Sequence, residues 1–291
     1  MTLHRTVRHV DAFTSTPLEG NPAAVVDGEG IDAETMQRIA LNQHLSETVF
    51  LLPPASAEHS ARLRIFTPAE ELPFAGHPTI AAAHVLVSEG LVRLREGEAL
   101  RIETGAGVIP VAVTGDPPLY TMTQIAPQFR PNETPLDEIA SWIGLAPGDV
   151  VRAEHVSTGV FWLIAHVASF EAMLRVQPDI MKLAGKEISI FCLLRGSPGD
   201  AAVRVRAFAP GFGIVEDPVT GSSNGCIAAL IAKHGLLPSR DGELTYISEQ
   251  GIEMGQPGRV HLRVTGAPGA MSVQVGGHAV TVLRGELLLP D

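Results

Sequence analysis

The chain predicts an α+β fold of two pseudo-symmetric lobes, each a barrel-like mixed β-sheet wrapped around a central buried α-helix. Three observations predict it. Short Val- and Ile-rich runs bounded by Gly, Pro or Asp recur along the 291 residues and outnumber the helical candidates. Two segments, PTIAAAHVLV (78–87) and NGCIAALIA (224–232), are apolar nearly all round, the pattern of a helix enclosed by protein. Finally, Arg64-Ile65-Phe66-Thr67-Pro68 recurs 142 residues later as Arg206-Ala207-Phe208-Ala209-Pro210, and each copy leads through a polar loop to a glycine and one of those helices.

In chain order, the strand-like runs are VRHVDAF (7–13), PAAVV (22–26), ETVFLL (47–52), ARLRIFT (61–67), LRIET (100–104) and IPVAVT (109–114). FWLIAHV (161–167), ISIFCLL (188–194), AVRVRAFA (202–209), RVHLRV (259–264) and HAVTVLRGELLL (278–289) follow. Three further helices read as amphipathic and peripheral. DAETMQRIALNQ opens on Asp32 as N-cap, ETPLDEIASWIG stops at Gly144, and SFEAMLRV is the third. The lobes divide near TGDPPLY (114–120), giving 1–118 as the first and 119–291 as the second. The last strand is open to either lobe.

Composition limits the partners. With 45% hydrophobic and 18% charged residues the chain reads as a soluble globular protein, and a net charge of -11 argues against nucleic acid or a membrane surface. No apolar run approaches membrane-spanning length and no leader pattern opens the chain, so the cytoplasm is the expected location. Two cysteines, Cys192 and Cys226, are too few for a disulfide framework or a thiolate metal cage. No H-E-x-x-H, P-loop or dinucleotide fingerprint occurs; His77 and His84 share a helical face without a third ligand, so neither metal nor cofactor is expected.

Each buried helix begins with an anion-binding geometry, because the first N–H groups of a helix lack intrahelical partners and carry positive partial charge. Gly76-His77-Pro78 opens one and Gly221-Ser222-Ser223-Asn224 the other. If the lobes face one another, both mouths line one cleft able to hold a carboxylate. Ser, Asn and Gly also begin many helices as plain caps. Glu47 starts ETVFLL, where alternation puts it on one face with Val49 and Leu51. It is either an exposed glutamate at a strand entrance or a carboxyl at the edge of the core, where desolvation would raise its pKa toward the range useful for proton transfer. Asp217 is open to capping or proton work, and His77 can donate and accept at a helix mouth.

The stretch Gly221–Gly225 also fits G-x-S-x-G, which makes Ser223 a candidate nucleophile, with Asp241 and His261 or His278 following in order. A nucleophile elbow needs an apolar strand running into its first glycine. Glu216-Asp217-Pro218-Val219-Thr220 does not read as one. A paired-thiol racemase would need a cysteine at each mouth. The first has none, and Cys226 lies inside the second helix.

Taken together, VDAFTSTPLEGNPAAVV, HLSETVFL, RIFTPAEELPFAGHPTIAAAHVL and GIVEDPVTGSSNG resemble the PhzF-like family of phenazine-biosynthesis isomerases over nearly the whole chain. The resemblance implies the diaminopimelate-epimerase-like fold, a homodimer, and catalysis without metal or organic cofactor on a small carboxylate-bearing substrate. It implies Glu47 as the acid/base that carries a proton between substrate carbons, with His77 and Asp217 as its polar partners. Ser222 and the backbones of Gly76 and Gly221 would bind the substrate. The phenazine reaction is isomerisation of a dihydro-hydroxyanthranilate, a proton shift needing no redox step. Two other readings stand beside it: a serine hydrolase using Ser223, and a metabolite-binding protein of the same fold without turnover.

Overall fold

Alternation between an inner and an outer sheet face organises the chain. The computed structural model describes residues 2–95, 97–196 and 200–290. Contacts divide it into two units, Met1–Met122 with Gly276–Asp291, and Thr123–Val275.

The first unit contains strands β1 (Thr2–Ala12), β2 (Asn21–Asp27), β3 (Glu47–Leu52), β4 (Ala61–Phe66), β5 (Glu71–Leu72), β6 (Ala99–Thr104), β7 (Gly107–Thr114) and β8 (Leu119–Thr123). Its helices are α1 (Ala33–Gln43) and α2 (Gly76–Ser88). Strands β1 and β2 are antiparallel, β2 and β3 parallel, β3 and β4 antiparallel. Strand β4 then pairs with the short β5 antiparallel and with β6 parallel, and β6 with β7 antiparallel.

The second unit contains β9 (Gln128–Pro131), β10 (Val150–Ser157), β11 (Phe161–Val167), β12 (Ile188–Leu193), β13 (Val203–Ala209), β14 (Ile214–Asp217), β15 (Glu243–Gln250), β16 (Gly258–Thr265) and β17 (Ser272–Gly277). Its helices are α3 (Leu136–Trp142), α4 (Phe170–Leu174), α5 (Ile180–Leu183) and α6 (Gly221–His234). The pairings repeat those of the first unit step for step. Strands β10 and β11 are antiparallel, β11 and β12 parallel, β12 and β13 antiparallel. Strand β13 pairs with the short β14 antiparallel and β15 parallel, and β15 with β16 antiparallel. The last strand, β18 (Ala279–Pro290), runs antiparallel to β1 along its length, within the first unit.

Each sheet has one helix on its inner face and amphipathic helices outside. Helix α2 is buried along most of its length and packs on β1, β2, β3 and β18; α6 is likewise buried and packs on β10, β11 and β16. Being enclosed by strands, neither needs a polar face. Outside the first sheet, Met36, Ile39 and Ala40 of α1 pack on Phe50, Phe66 and Val26. Helix α1 starts where Asp32 Oδ1 accepts from Thr35 N at 2.8 Å, as its N-cap predicts. Outside the second sheet, α3, α4 and α5 contribute Ile139, Met173 and Leu183 to a core with Ile188, Ile190 and Phe208.

The recurring arginine has the same role twice. Arg64 Nε and Nη2 donate to Glu71 Oε1 and Oε2 at 2.7 and 2.6 Å. Arg206 makes the same two bonds to Glu216 at 2.8 and 2.9 Å. Each guanidinium also lies over the phenylalanine two residues on, 5.1 Å from the Phe66 centroid and 5.2 Å from that of Phe208. The match then runs through Pro73 and Pro218 to the helix starts, Gly76 and Gly221. The backbones close over each proline: a Cβ on Gly105 would lie 2.9 Å from Pro73 Cα, and one on Gly251 2.7 Å from Pro218 O.

Strands β10 and β15 escape a reading by hydrophobic run. VVRAEHVS and ELTYISEQ carry polar residues on the inner face, where Glu154 meets Lys233 of α6 and Ser248 and Gln250 meet its first turn. Sheet-internal polar partners replace the apolar alternation a strand normally shows.

Candidate active site

Glu47 is the first residue of β3, and strand alternation turns it to the inner face, toward α2. His77 is the second residue of α2, so the β5-to-α2 loop delivers it to the same place. Glu47 Oε2 and His77 Nε2 are 3.3 Å apart, with side-chain exposures of 13% and 9%. Of the two sequence readings of Glu47, the buried one holds. Oε2 is shielded from solvent and makes no hydrogen bond. Burial pushes the Glu47 carboxyl above the ordinary carboxylate range, and a hydrogen bond from the Ser46 side chain opposes this only in part. A carboxyl of this kind binds a proton readily and can take one from carbon.

The start of α2 is not capped in the usual way. Its N-cap residue is Ala75, which offers no side-chain acceptor to the first turn. Thr79 Oγ1 instead donates to Ala75 O at 2.7 Å, fixing the entry of the chain. A Cβ on Gly76 would meet only Met122 Cε, at 3.9 Å, so the backbone there is open to close approach.

The start of α6 is built differently. Gly221 is its first residue, and Thr220, the N-cap, makes no side-chain cap bond. Its hydroxyl donates to Asp217 Oδ2 instead. Gln250 holds the segment: its Oε1 accepts from Thr220 N at 3.1 Å and Asn224 Nδ2 at 2.8 Å, while its Nε2 donates to Asp217 O at 2.9 Å. Ser248 Oγ completes the network by donating to Asn224 Oδ1. Ser222 Oγ accepts from Trp162 Nε1 at 3.2 Å. Plain capping by Ser222 or Asn224 is therefore not what this sequence encodes.

Glu47, His77 and Gly76 thus gather in the first unit, and Asp217, Gly221 and Ser222 in the second. Asn224, named from sequence as part of the helix mouth, supports them together with Ser46, Gln250, Ser248 and Trp162, which were not singled out from sequence. Gln250 stands at the end of a strand whose polar inner face hid it, and Trp162 lies in a run that reads only as a strand. The first carboxylate of Glu216-Asp217 is structural, since Glu216 is bound by Arg206.

The serine hydrolase reading is corrected. Ser223 is fully buried within α6, and its Oγ lies 3.1 Å from Ser189 Oγ. A nucleophile elbow presents its serine at an exposed turn. Cys226 is also fully buried; burial pushes its thiol up to about 11 and that of Cys192 up to about 12, which leaves both as thiols at neutral pH. Among the described residues no helix is long and apolar enough to cross a membrane.

Comparison with known proteins gives a consistent answer. A family model described as phenazine biosynthesis-like protein matches residues 10–285. The trans-2,3-dihydro-3-hydroxyanthranilate isomerase of Pseudomonas aeruginosa is 34% identical over 293 residues, covering 99% of this chain and 100% of that protein. An uncharacterized isomerase of Mesorhizobium japonicum is 36% identical, covering 96% and 97%. The crystal structure of a PhzF-family phenazine biosynthesis protein from Bacillus anthracis superposes with a TM-score of 0.87 at 32% identity, over 99% of this chain and 100% of that one. A hydroxyproline epimerase from Agrobacterium vitis shares the fold at 17% identity, with a TM-score of 0.65 over 99% and 93%. The duplicated sheets around enclosed helices, and the match over the full chain, place the protein in the phenazine biosynthesis-like family, as one of its isomerases.

Proposed function

We propose that the enzyme moves a proton between two carbons of a small carboxylate-bearing substrate, with Glu47 taking the proton and returning it. One observation carries this reading: the Glu47 carboxyl is buried, shifted toward its protonated form, and set 3.3 Å from the His77 imidazole. In the first step a substrate C–H bond breaks, the proton goes to Glu47, and the electron pair passes into the adjacent π system of the substrate. In the second, Glu47 delivers the proton to another carbon and the electrons return to a C–H bond. The substrate gains and loses no electrons, so the shift needs no redox partner.

His77, with its Nε2 3.3 Å from Glu47 Oε2, is the polar partner placed to assist the transfer. Gly76 supports the substrate through backbone N–H, a role favoured by the uncapped start of α2. Asp217, Gly221 and Ser222 orient the substrate by the same resemblance. We propose further that the enzyme works as a cytoplasmic homodimer without a cofactor.

The relative from Pseudomonas aeruginosa suggests the first substrate to try, trans-2,3-dihydro-3-hydroxyanthranilate. Turnover in D2O, followed by NMR and mass spectrometry, should place solvent deuterium on carbon. Glu47→Gln should lower that rate by about 100- to 10,000-fold, the usual contribution of a general acid/base. Undiminished exchange by a folded Glu47→Gln protein would remove Glu47 from the mechanism.

A further inference from the structure

We propose that Arg64 is a positioning residue that sets the geometry of the Glu47–His77 pair, an inference that rests on the reading of Glu47 given above. Arg64 lies on β4, opposite Phe50 of β3 in the sheet register, and β3 begins with Glu47. Its guanidinium grips Glu71 through two parallel hydrogen bonds, and Glu71 begins the segment that ends at Gly76 and His77. One side chain therefore ties β4, the sheet neighbour of the strand that carries the acid, to the segment that delivers the imidazole. A bidentate fork fixes direction as well as distance.

The rest of that loop is held from other sides. Thr67 N donates to Glu70 O at 2.8 Å, Ala106 N to Pro73 O at 3.1 Å, and Thr79 Oγ1 to Ala75 O at 2.7 Å. The Arg64 pair is the charged member of this set, and Arg64 holds the Glu71 carboxyl below its ordinary range.

The second unit supplies an independent copy. There Arg206 grips Glu216, which directly precedes Asp217 on β14. The two loops have diverged at the residues that face chemistry. Leu72 stands where the other has Asp217, Ala75 where it has Thr220, and His77 where it has Ser222. The clamp, its aromatic support and the proline beyond it are the same in both. A device kept while its surroundings changed belongs to the delivery of the helix start, whichever side chains that start carries.

Arg64→Met and Glu71→Gln test this in the full chain. Their side chains are 23% and 42% exposed, so both variants should fold. The first readout needs no substrate: the pH titration of the His77 ring resonances by NMR. Both variants should shift it relative to the parent, and Glu47→Gln should abolish the difference. With a substrate in hand, kcat should fall by about 10- to 100-fold with KM held within about twofold, as expected when reacting groups are misplaced rather than binding lost. Arg64→Lys should not restore kcat, because an ammonium cannot form the fork. The double variant should be no slower than the slower single one. A parent-like His77 titration and parent-like kcat in Arg64→Met would overturn the proposal, whatever its effect on melting temperature. A His77 titration shifted in both variants, with a parent that exchanges no deuterium with any acid tried, would uphold the clamp and overturn the proton-transfer reading instead.

Discussion

Glu47 illustrates how far a single residue can depart from what its sequence neighbourhood favours. A glutamate at the first position of a strand is ordinarily solvated. Here the loop from β5 brings His77 over it and closes the inner face, so that charge on the carboxyl is costly. This has a consequence for stability, and its sign follows from the direction of the shift. Below the ordinary carboxylate value of 4.5 the group is protonated in both native and unfolded chains, and ionisation costs nothing. As pH rises through that value the unfolded chain ionises first, while native Glu47 keeps its proton. Folding is then progressively penalised until the pH passes the native pKa, above which the penalty is complete. Glu47→Gln removes the penalty. Its melting temperature should match the parent's near pH 4 and rise above it as the pH increases, levelling off once native Glu47 ionises, read by calorimetry at matched ionic strength. A difference that does not change with pH would mean the carboxyl is solvated. The gain in stability with loss of activity is the usual mark of a group held for chemistry rather than for folding.

At the level of elements, the starts of α2 and α6 differ in how their first turns are held. Neither helix makes a side-chain cap bond at its N-cap, and Gly76 at the start of α2 is only half-buried. Helix α6 is stitched to β15 by Gln250, whose amide serves Thr220, Asn224 and Asp217 at once. Replacing Gln250 with Ala leaves the Thr220 N–H and one of the two Asn224 amide N–H bonds without a partner in the interior. The expected loss is about 2–4 kcal/mol, from two buried donors left unpaired. Urea unfolding would measure it, and a loss under about 1 kcal/mol would show that these groups find other partners. The network also explains what the sequence hid. Apolar runs mark β3, β11 and β12 at their observed bounds or within a residue of them, because those strands lie between two apolar layers. Strand β15 reads as irregular because its inner residues are chosen for the polar end of a helix that arrives from a distant part of the chain.

The whole molecule is a duplicated plan with one exchange at its end. The internal repeat was visible as R-x-F-x-P, and the structure supplies its physical content: a fork to a glutamate on a short strand, a proline, and a buried helix. Strand β18 is the exception to simple succession, since it follows the second unit in sequence and pairs with β1 of the first. Leu287 and Leu289 on it pack against the core formed by Val7, Ala24 and Met36. A chain ending at residue 278 therefore leaves β1 unpaired on one side and that core open. It should lose the cooperative unfolding of the first unit and aggregate at concentrations where the parent is monodisperse, as sedimentation and near-UV circular dichroism would show. A truncated chain with the parent's melting profile would contradict this account of the first unit.

What the sequence determined alone was the two enclosed helices, the apolar strands and the duplication. Two all-round apolar segments read as enclosed helices, short β-branched runs around them as strands, and a repeated motif at half-chain spacing as two like units. Those conclusions depend on local periodicity and composition, which the chain carries in every window. The tertiary structure decided the environments: that Glu47 is buried beside His77, that Ser223 is sealed against Ser189, and that Gln250 rather than a cap holds α6. Burial and polar pairing depend on residues tens to hundreds of positions apart, and no local pattern records which of them will meet.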